Sequence, residues 1–185
     1  LKNMINKICV LLNGPVQNDH RVIKVIKTLS SKYSIDLYYL NGNHHDQSLF
    51  KSNVKLFCFQ YRESFVKKIL RHSFFWKEYS FLAREVLNSK NCYKYIWCND
   101  LPTLYPGELI SKKTGAKLIY DSHEIYLETL NQFFPSQSKG FKAYLYRTSL
   151  MFMKYYGTIA EKKMLKKTNC VITVNQSLAD YFEKK

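Results

Sequence analysis

The sequence predicts an α/β domain of the Rossmann-like, doubly wound type, with helices on both faces of a parallel sheet. Six short apolar segments along the 185 residues have the composition of buried strands, and most are separated by segments with the apolar spacing of helices. Strands that alternate with helices favour a parallel sheet, because each parallel connection has to cross over the sheet. We therefore expect residues 1–185 to form a single domain of this class.

The first half of the chain is expected to form three strands and two helices. Residues 7–13 (KICVLLN) are apolar without alternation, which is typical of a strand buried on both faces. Asn18 and Asp19 are good N-cap residues for the next helix, whose apolar stripe begins at Val22 and ends at Leu29. The other elements expected in this half are strands over 34–41 and 54–61 and a helix over about 64–89.

The second half is expected to contain three more strands, again separated by helices. The clearest boundary belongs to the helix from Leu101 to Thr114. Gly115 should end this helix, because glycine readily adopts the left-handed conformation found after a helix C-terminus. The other elements expected here are strands over 93–100, 116–121 and 170–175, a helix over about 138–167 and a short helix from residue 177.

Polar residues follow several of these strands, at the point where each strand ends. In open α/β sheets ligands bind outside the carboxyl ends of the strands, so these residues are candidates for a functional site. Turn formation alone explains most of the Asn and Gly found there, but it explains a His-Glu pair less well. The candidates are Asn13 and Gly14 after the first strand, Asp100 after the fourth, and His123 and Glu124 after the fifth.

Two interpretations of His123 remain open on the local pattern. A histidine at the carboxyl edge of a sheet can donate a hydrogen bond to a sugar hydroxyl or a phosphate. Alternatively, Asp121 or Ser122 caps a following helix and His123 points into solvent. Arg21 has a similar pair of interpretations: it presents an anion-binding side chain at a helix N-terminus, or it is a solvated residue beside the N-cap.

Several catalytic patterns are absent from the sequence. The first strand is followed by one glycine, Gly14, instead of the G-x-G-x-x-G that binds a dinucleotide, and Asn41 stands where such proteins carry an acidic residue. There is no Walker phosphate loop and no G-x-S-x-G nucleophile elbow. A zinc site needs three converging ligands, and His44-His45-Asp46 lies far from the other candidates in sequence. We therefore expect neither a metal nor a bound cofactor.

The chain has 29 Lys and Arg residues against 14 Asp and Glu residues, which gives a net charge of +15. Such a charge favours anionic partners, namely nucleic acid, phosphorylated ligands or an acidic membrane surface. Only 5 of the basic residues are Arg, which disfavours sequence-specific nucleic-acid recognition, because Arg makes its bidentate contacts. The expected helices at 64–89 and 138–167 combine basic and aromatic residues, so they suit an anionic lipid surface. Alternatively, they bury their aromatic residues and expose a solvated Lys face.

The five cysteines include no C-x-x-C pair and lie within or beside apolar segments, so we expect small buried thiols. Reduced thiols are typical of cytosolic proteins. No apolar run reaches the length of about 18–20 residues that a membrane span needs, and the first residues lack the apolar core of a signal peptide. We expect a cytoplasmic protein, with peripheral contact to the inner face of the plasma membrane left open.

Three segments carry a resemblance to a known family, namely KICVLLNGPVQNDHRVIKVIKTL, IWCNDLPTLYPGELISKKTGAKLIYDSHEIYLE and EKKMLKKTNCVITVNQSLADYF. They contain a glycine-bearing loop followed by Asp-x-Arg-Val at 19–22, an Asn-Asp pair at 99–100 before a helix, and the block Asp-Ser-His-Glu at 121–124. In this combination the chain resembles the N-terminal domain of the retaining family 4 glycosyltransferases. These enzymes consist of two Rossmann-like halves, an architecture called GT-B.

The resemblance implies that this half holds the acceptor of a sugar transfer, while a C-terminal half binds most of the nucleotide-sugar donor. It makes His123 a catalytic residue that contacts the transferred sugar, and it places the loop of Gly14 near the donor phosphates and the acceptor. The implied acceptor is a polysaccharide or lipid-linked glycan of cell-surface glycan synthesis. The donor is a substrate, so the resemblance implies no cofactor, metal or nucleic acid. The implied substrate-binding residues are Asn13, Gly14, Arg21, Asp100 and Glu124.

The sequence departs from the family pattern in two places. Asn99 stands where many members have His, and the donor-binding elements of the C-terminal half, including its Glu-x7-Glu, are absent from the 185 residues. The chain is then either a fragment or one half of a split enzyme; we favour the fragment and expect it to be inactive alone. Two other functions stay open: a nucleotide-sugar epimerase, which can share the two-half architecture, and a basic nucleic-acid-binding module.

Overall fold

The computed structural model describes residues 6–61, 79–130 and 141–185. Within these residues the chain forms six strands, and all neighbouring pairs in the sheet are parallel. The predicted α/β class with a parallel sheet is therefore confirmed. The strands are β1 (Lys7–Leu12), β2 (Ser34–Leu40), β3 (Val54–Phe59), β4 (Tyr95–Asn99), β5 (Lys117–Ser122) and β6 (Cys170–Thr173).

Helices connect most of these strands, as the alternation of apolar segments predicts. Of the helix expected over 64–89, the C-terminal part is present, and residues 62–78 lie outside the described residues. The sequence pattern does not indicate two short 3-10 helices, at Val16–Asn18 and His44–Leu49, or the four-residue helix after β5. The α-helices are α1 (His20–Leu29), α2 (Ser80–Asn88), α3 (Leu101–Thr114), α4 (Tyr126–Thr129), α5 (Phe141–Leu165) and α6 (Gln176–Glu183).

Alternate side chains of the strands point to opposite faces of the sheet and build two apolar layers. Ile8 and Val10 of β1 pack in the layer that contains α1, whereas Cys9 and Leu11 pack in the layer that contains α2, α3 and α5. All four side chains are buried, as expected for a strand with helices on both faces. The doubly wound arrangement predicted from the sequence is therefore present.

The order of the strands across the sheet is β3-β2-β1-β4-β5-β6. The chain therefore moves outward from β1 as far as β3, and then returns to place β4 on the other side of β1. Such a reversal is a topological switch point, and ligands of open α/β sheets bind in the crevice at the carboxyl ends of the strands there. The strands on the two sides of this switch point are β1 and β4. They end at Leu12 and Asn99, directly before the candidates Asn13, Gly14 and Asp100.

The cysteines follow the prediction of buried thiols only in part. Cys9 and Cys98 are buried in the two strands at the switch point, but Cys58, Cys92 and Cys170 are exposed, so the prediction is wrong for these three. Cys58 and Cys170 lie on β3 and β6, the edge strands, which have a neighbouring strand on one side only. An apolar sequence context therefore did not guarantee burial at the edges of the sheet.

Candidate functional site

The candidate site lies at the carboxyl edge of the sheet, where the ends of β1, β4 and β5 meet. Asn99, at the end of β4, donates from its Nδ2 to the carbonyl oxygen of Leu11 over 2.9 Å, which ties β4 to β1. The backbone nitrogen of Asp100 donates to the carbonyl oxygen of Asp121 over 3.0 Å, which ties β4 to β5. We call this continuous edge the strand-exit site. The residues predicted for it are Asn13, Gly14, Arg21, Asp100, His123 and Glu124.

The loop after β1 presents backbone to this edge. Gly14 has a φ of +148°, a conformation that residues with a Cβ rarely adopt. Asn13 and Gly14 are both half-buried, and apart from the adjacent residues no atom of the described ranges lies within 4 Å of the position that a Cβ on Gly14 would occupy. The glycine is therefore required by the backbone conformation, and the space beside it leaves room for a ligand to approach the main chain.

The start of α1 places a cation beside the edge. Asp19 caps the helix as predicted, since its Oδ1 accepts hydrogen bonds from the backbone nitrogens of Arg21 and Val22 at 3.1 and 3.2 Å. Nε of Arg21 lies 3.4 Å from the same oxygen, and the Arg21 side chain is 54% exposed. Burial raises the pKa values of Asp100 and Asp121, and Arg21 counteracts both rises. Its positive charge therefore acts at the ends of β4 and β5.

Asp100 has an unusual backbone conformation directly after β4. Its φ of 61° and ψ of 163° fall in a region that glycine alone populates readily. The carbonyl oxygen of Asp100 accepts hydrogen bonds from the backbone nitrogen and Oγ1 of Thr103 at 3.2 and 3.0 Å, which fixes this conformation at the start of α3. Burial raises the pKa of Asp100 to about 6. His123 and Arg21 counteract this rise, whereas the negative charge of Glu124 adds to it. Its buried Oδ1 has no hydrogen-bond partner in the described ranges.

His123 lies inside the site, beside Asp121. The two side chains are 5% and 3% exposed, and Nε2 of His123 lies 3.5 Å from Oδ1 of Asp121. Oδ2 of Asp121 accepts a hydrogen bond from Nε1 of Trp97 at 3.0 Å. Burial raises the pKa of Asp121, and both His123 and the hydrogen bond from Trp97 counteract this rise. The three side chains therefore form a sequence of contacts that positions the imidazole.

The ring nitrogens of His123 have unused hydrogen-bonding capacity within the part of the chain that the structure describes. Neither has a hydrogen-bond partner there, because the 3.5 Å contact with Asp121 lacks hydrogen-bond geometry. Buried polar groups in proteins are normally hydrogen-bonded, and an unsatisfied one calls for an explanation such as a bound ligand. The alternative with His123 in solvent beside a helix cap is wrong. The cap position of α4 is Ile125, and Oγ of Ser122 donates to the carbonyl oxygen of Glu124 over 3.0 Å.

Glu124 lies at the solvent side of the strand-exit site. It is exposed, and its Oε1 accepts a hydrogen bond from Oγ1 of Thr129 at 3.2 Å. Burial is the main cause of the raised pKa of Asp100, and the negative charge of Glu124 raises this pKa further. The two carboxyl groups are therefore within electrostatic range of each other. Of the predicted residues, the structure brings together Arg21, Asp100, His123 and Glu124, and it places Asn13 and Gly14 at the adjoining end of β1.

Two residues of the site were not predicted in this role. In the sequence Asp121 stands out as a possible helix cap and as the start of the Asp-Ser-His-Glu block, but with no role in the site, and Trp97 does not stand out at all. In the register of β4 with β5, Trp97 lies opposite Ile119 and Asn99 lies opposite Asp121. The contact between Trp97 and Asp121 therefore depends on strand pairing, which no local pattern reveals. The available signal was the alternation of β4, which puts Trp97 on the same face as Asn99.

Two cavities of the described chain lie away from this edge. The larger, of about 330 Å³, opens at the amino ends of β1, β2 and β3. Its Asp36 is held by Lys7 and by the hydroxyl of Tyr93, each at 2.7 Å, in an internal polar network. The smaller cavity, of about 220 Å³, lies between α3 and the end of α5, beside Glu108 and Lys167. Among the described residues, no group of three His, Cys, Asp or Glu side chains is arranged to hold a metal ion.

No family model and no curated protein matches the sequence. The fold is similar to that of a UGT transferase from Siraitia grosvenorii in complex with UDP, with a TM-score of 0.50 and 9% identity. This match covers 95% of the present chain and 46% of the transferase, so the chain spans about half the transferase's length. A short-chain dehydrogenase/reductase of the wide type from Veillonella parvula, in complex with NADP, matches over 89% of this chain and 67% of its own, with a TM-score of 0.38 and 9% identity. The first likeness shows the fold alone.

Proposed function

We propose that this chain is the acceptor-side domain of a glycosyltransferase with two Rossmann-like halves. The observation that carries the proposal is the buried imidazole of His123, whose ring nitrogens have no hydrogen-bond partner within the described ranges. At the carboxyl edge of the sheet, such a group suits a sugar hydroxyl or a phosphate oxygen. The fold shared with about half of a UGT transferase supports a two-half arrangement. The sequence resemblance supports the finer assignment to the retaining family 4 enzymes.

Each residue of the strand-exit site has a proposed role. His123 donates a hydrogen bond to the transferred sugar as charge develops in the reaction. Arg21 and the N-terminus of α1 supply positive charge for the phosphates of the nucleotide-sugar donor. Gly14 lets a phosphate or the acceptor approach the main chain. The residues proposed to orient sugar hydroxyl groups are Asn13, Asp100 and Glu124.

The proposed reaction is sugar transfer with retention of configuration. The bond between C1 of the sugar and the oxygen of the nucleotide diphosphate breaks, and its electron pair stays with the leaving diphosphate. A new bond forms between C1 and the acceptor oxygen on the same face of the sugar, and the acceptor proton passes to the leaving phosphate. The protein orients the hydroxyl and stabilises the developing charge. The donor is a substrate in this scheme, and we assign no cofactor or metal.

The proposed acceptor is a polysaccharide or lipid-linked glycan of cell-surface glycan synthesis, at the cytoplasmic side of the plasma membrane. The family resemblance supports this choice. The net charge of +15 also supports it, because such a charge attracts the protein to anionic surfaces.

The test is a substitution of His123 in the complete two-domain enzyme that contains this chain. We expect His123→Ala to lower kcat for sugar transfer by about 10²- to 10³-fold, the effect of one lost preorganised donor. The ring is buried, so the melting temperature should also fall. Turnover is therefore expressed per folded molecule.

A matched control separates lost chemistry from lost stability. Leu82→Ala removes a fully buried side chain of α2 and should destabilise the fold by about 2–5 kcal/mol. It lies outside the strand-exit site, so turnover per folded molecule should stay normal. If His123→Ala behaves like Leu82→Ala, with normal turnover per folded molecule, His123 has no part in the reaction.

Two other results would identify the alternative functions. Formation of an isomeric nucleotide-sugar without any acceptor would indicate an epimerase. Tight binding of DNA or RNA that weakens steeply with salt, without sugar transfer, would indicate a nucleic-acid-binding module.

A further inference from the structure

Helix α5 has apolar residues on two opposite faces. Its inner face packs into the core through Met153 and Met164, which are 5% and 3% exposed. Like the other described helices, α5 is not apolar enough over a sufficient length to cross a membrane. The opposite face, which we call the outer face of α5, exposes Tyr144, Met151, Phe152, Tyr155, Tyr156 and Ile159.

These exposed residues form one surface. They recur at intervals of three, four or seven, so they lie along one side of a helix that is about 37 Å long. The rings of Phe152 and Tyr156 stack with their centroids 6.1 Å apart, and Tyr155 meets Tyr156 edge-on at 5.3 Å. Single exposed apolar residues are common on proteins, whereas a contiguous patch marks an interaction surface. The alternative in which this segment buries all its aromatic residues is therefore wrong.

Positive charge lies at the C-terminal end of the same face. Lys162, Lys163 and Lys166 are exposed there, and no acidic side chain of α5 opposes them, because the helix's Glu161 is buried and contacts Lys185. Two other lysines are already paired: Lys154, within α5, contacts Glu128, and Lys167, just after the helix, contacts Glu108. The outer face thus combines aromatic rings, a methionine and three exposed lysines.

We propose that the outer face of α5 docks onto an anionic lipid bilayer. The aromatic rings and Met151 enter the boundary between head groups and acyl chains, and Lys162, Lys163 and Lys166 contact lipid phosphates. Helix α5 then lies parallel to the membrane surface. The combination of apolar and positively charged residues favours this partner over two others. The phosphates of a nucleic acid would contact the lysines but would leave Met151 and Ile159 without an apolar partner. A second copy of the chain would place its own three lysines against these three, and like charges repel. The second segment predicted to bind lipid, 64–89, lies largely outside the described residues, so α5 alone carries the proposal.

The first experiment measures co-sedimentation of the chain with vesicles of phosphatidylglycerol and phosphatidylcholine. A lysine near an anionic surface strengthens binding about fivefold, so Lys162→Gln, Lys163→Gln and Lys166→Gln together should weaken it about 100-fold. The matched control carries Lys24→Gln, Lys27→Gln and Lys32→Gln, three exposed lysines in and after α1, on the opposite face of the sheet. Salt screening limits charge effects to about 10 Å, so the control should lose less than about threefold.

The second experiment tests the apolar contribution at constant charge. Phe152→Ser with Tyr155→Ser should weaken vesicle binding at least about tenfold. The melting temperature should stay unchanged, because both side chains are exposed in the folded state. Equal binding by this variant, equal loss in the two lysine triples, or equal binding of the wild type to pure phosphatidylcholine would each overturn the proposal.

The alternative partners give distinct outcomes. Self-association in sedimentation velocity that Phe152→Ser with Tyr155→Ser abolishes, without vesicle binding, would identify a second copy of the chain and overturn the lipid assignment. RNA binding that needs the three lysines but not the two aromatic residues, again without vesicle binding, would do the same. These assays contain no nucleotide-sugar, so their result is independent of the proposed sugar transfer.

Discussion

Asp100 combines backbone strain with a buried carboxyl group at the end of β4. A residue other than glycine at φ 61° and ψ 163° costs about 1–3 kcal/mol and persists only where its surroundings enforce it. The backbone hydrogen bonds to Asp121 and from Thr103 enforce it here. Strain of this kind concentrates at active sites and ligand clamps. Asp100 therefore supports the strand-exit site on grounds that are independent of any sequence resemblance.

Replacing Asp100 by Gly should stabilise the fold relative to Asp100→Asn. Both substitutions remove the carboxyl charge, but only Gly relieves the backbone, so the comparison isolates the strain. Glycine loses more backbone freedom on folding than asparagine does, and this loss reduces the gain in stability by about 0.5–1 kcal/mol. We expect a net gain of about 1 kcal/mol in the free energy of unfolding, measured by urea denaturation. If the Gly variant is no more stable than the Asn variant, the conformation of Asp100 is not strained.

A second prediction concerns Trp97 as a positioning residue for Asp121 and His123. Trp97→Phe keeps an aromatic ring but removes the Nε1–H that donates to Oδ2 of Asp121. Burial raises the pKa of Asp121, and the hydrogen bond from Trp97 partly counteracts this rise because it stabilises the charged carboxylate. Loss of the bond should therefore raise the pKa of Asp121 further. Carbon-detected NMR titration of the Asp121 carboxyl group measures this. An unchanged titration would show that Trp97 only packs there.

At the residue scale, the predictable features of the site were local ones. Asp19 caps α1 through bonds to residues two and three positions later, a relation visible in the sequence. His123 was conspicuous because a His-Glu pair after a strand is more than a turn requires. The burial of His123 and its contacts were not predictable. Its neighbour Asp121 accepts a hydrogen bond from Trp97, which lies 24 residues earlier and reaches Asp121 through the pairing of β4 with β5.

At the scale of elements, helix α3 lies unusually close to the sheet. A Cβ placed on Gly107 would come within 2.1 Å of Sγ of Cys98 in β4 and within 3.1 Å of Cδ1 of Leu118 in β5. Glycine costs a helix interior about 1 kcal/mol relative to alanine. Here the absence of a side chain lets α3 pack against both strands, so close packing outweighs helix propensity.

Gly107→Ala should therefore destabilise the fold although it improves helix propensity. Overpacking a tight core costs about 1–3 kcal/mol, and we expect a net loss near this range by urea denaturation. Cys98→Ala removes the sulfur atom that the new methyl group would meet first. The double variant should recover part of the loss that Gly107→Ala causes, beyond the sum of the two single effects. Simple additivity would mean that α3 moves away as a unit.

The existence of most elements was predictable because apolar periodicity is a property of each segment, whereas their ends depend on contacts. The strand expected over 170–175 ends at Thr173. The reason is that Oδ1 of Asn175 accepts from the backbone nitrogen of Leu178 at 2.9 Å and so begins α6. Helix α4 was missed because four residues are too few to show a helical period.

At the scale of the whole molecule, alternation of strands and helices predicted the parallel sheet, and the doubly wound class implies the return of the chain to the other side of β1, but no local pattern shows which strands meet there. That return creates the switch point, and it brings three strand ends to one edge. It also encloses carboxyl groups, because burial raises the pKa values of Asp100 and Asp121 at this edge. A carboxyl group with a raised pKa binds its proton more tightly in the folded state than in the unfolded state. Its contribution to stability is therefore greatest in acid and falls as the pH rises.

The raised pKa of Asp100 leads to a prediction for the stability of Asp100→Asn. This substitution keeps the shape of the side chain and removes its charge. The pKa of Asp100 is about 6 in the fold against 3.8 ordinarily, and each unit corresponds to about 1.4 kcal/mol. Well below pH 4 the group is protonated in both states, so the two proteins should be comparably stable after allowance for the amide. The difference should grow between about pH 4 and 6, and above pH 7 the Asn variant should be more stable by about 2–3 kcal/mol. Urea denaturation at several pH values measures the difference directly, and overall charge repulsion largely cancels because the same pH is compared. A difference that does not change with pH would mean that the Asp100 carboxyl group ionises in the fold as easily as in the unfolded chain, and the site would then not enclose it.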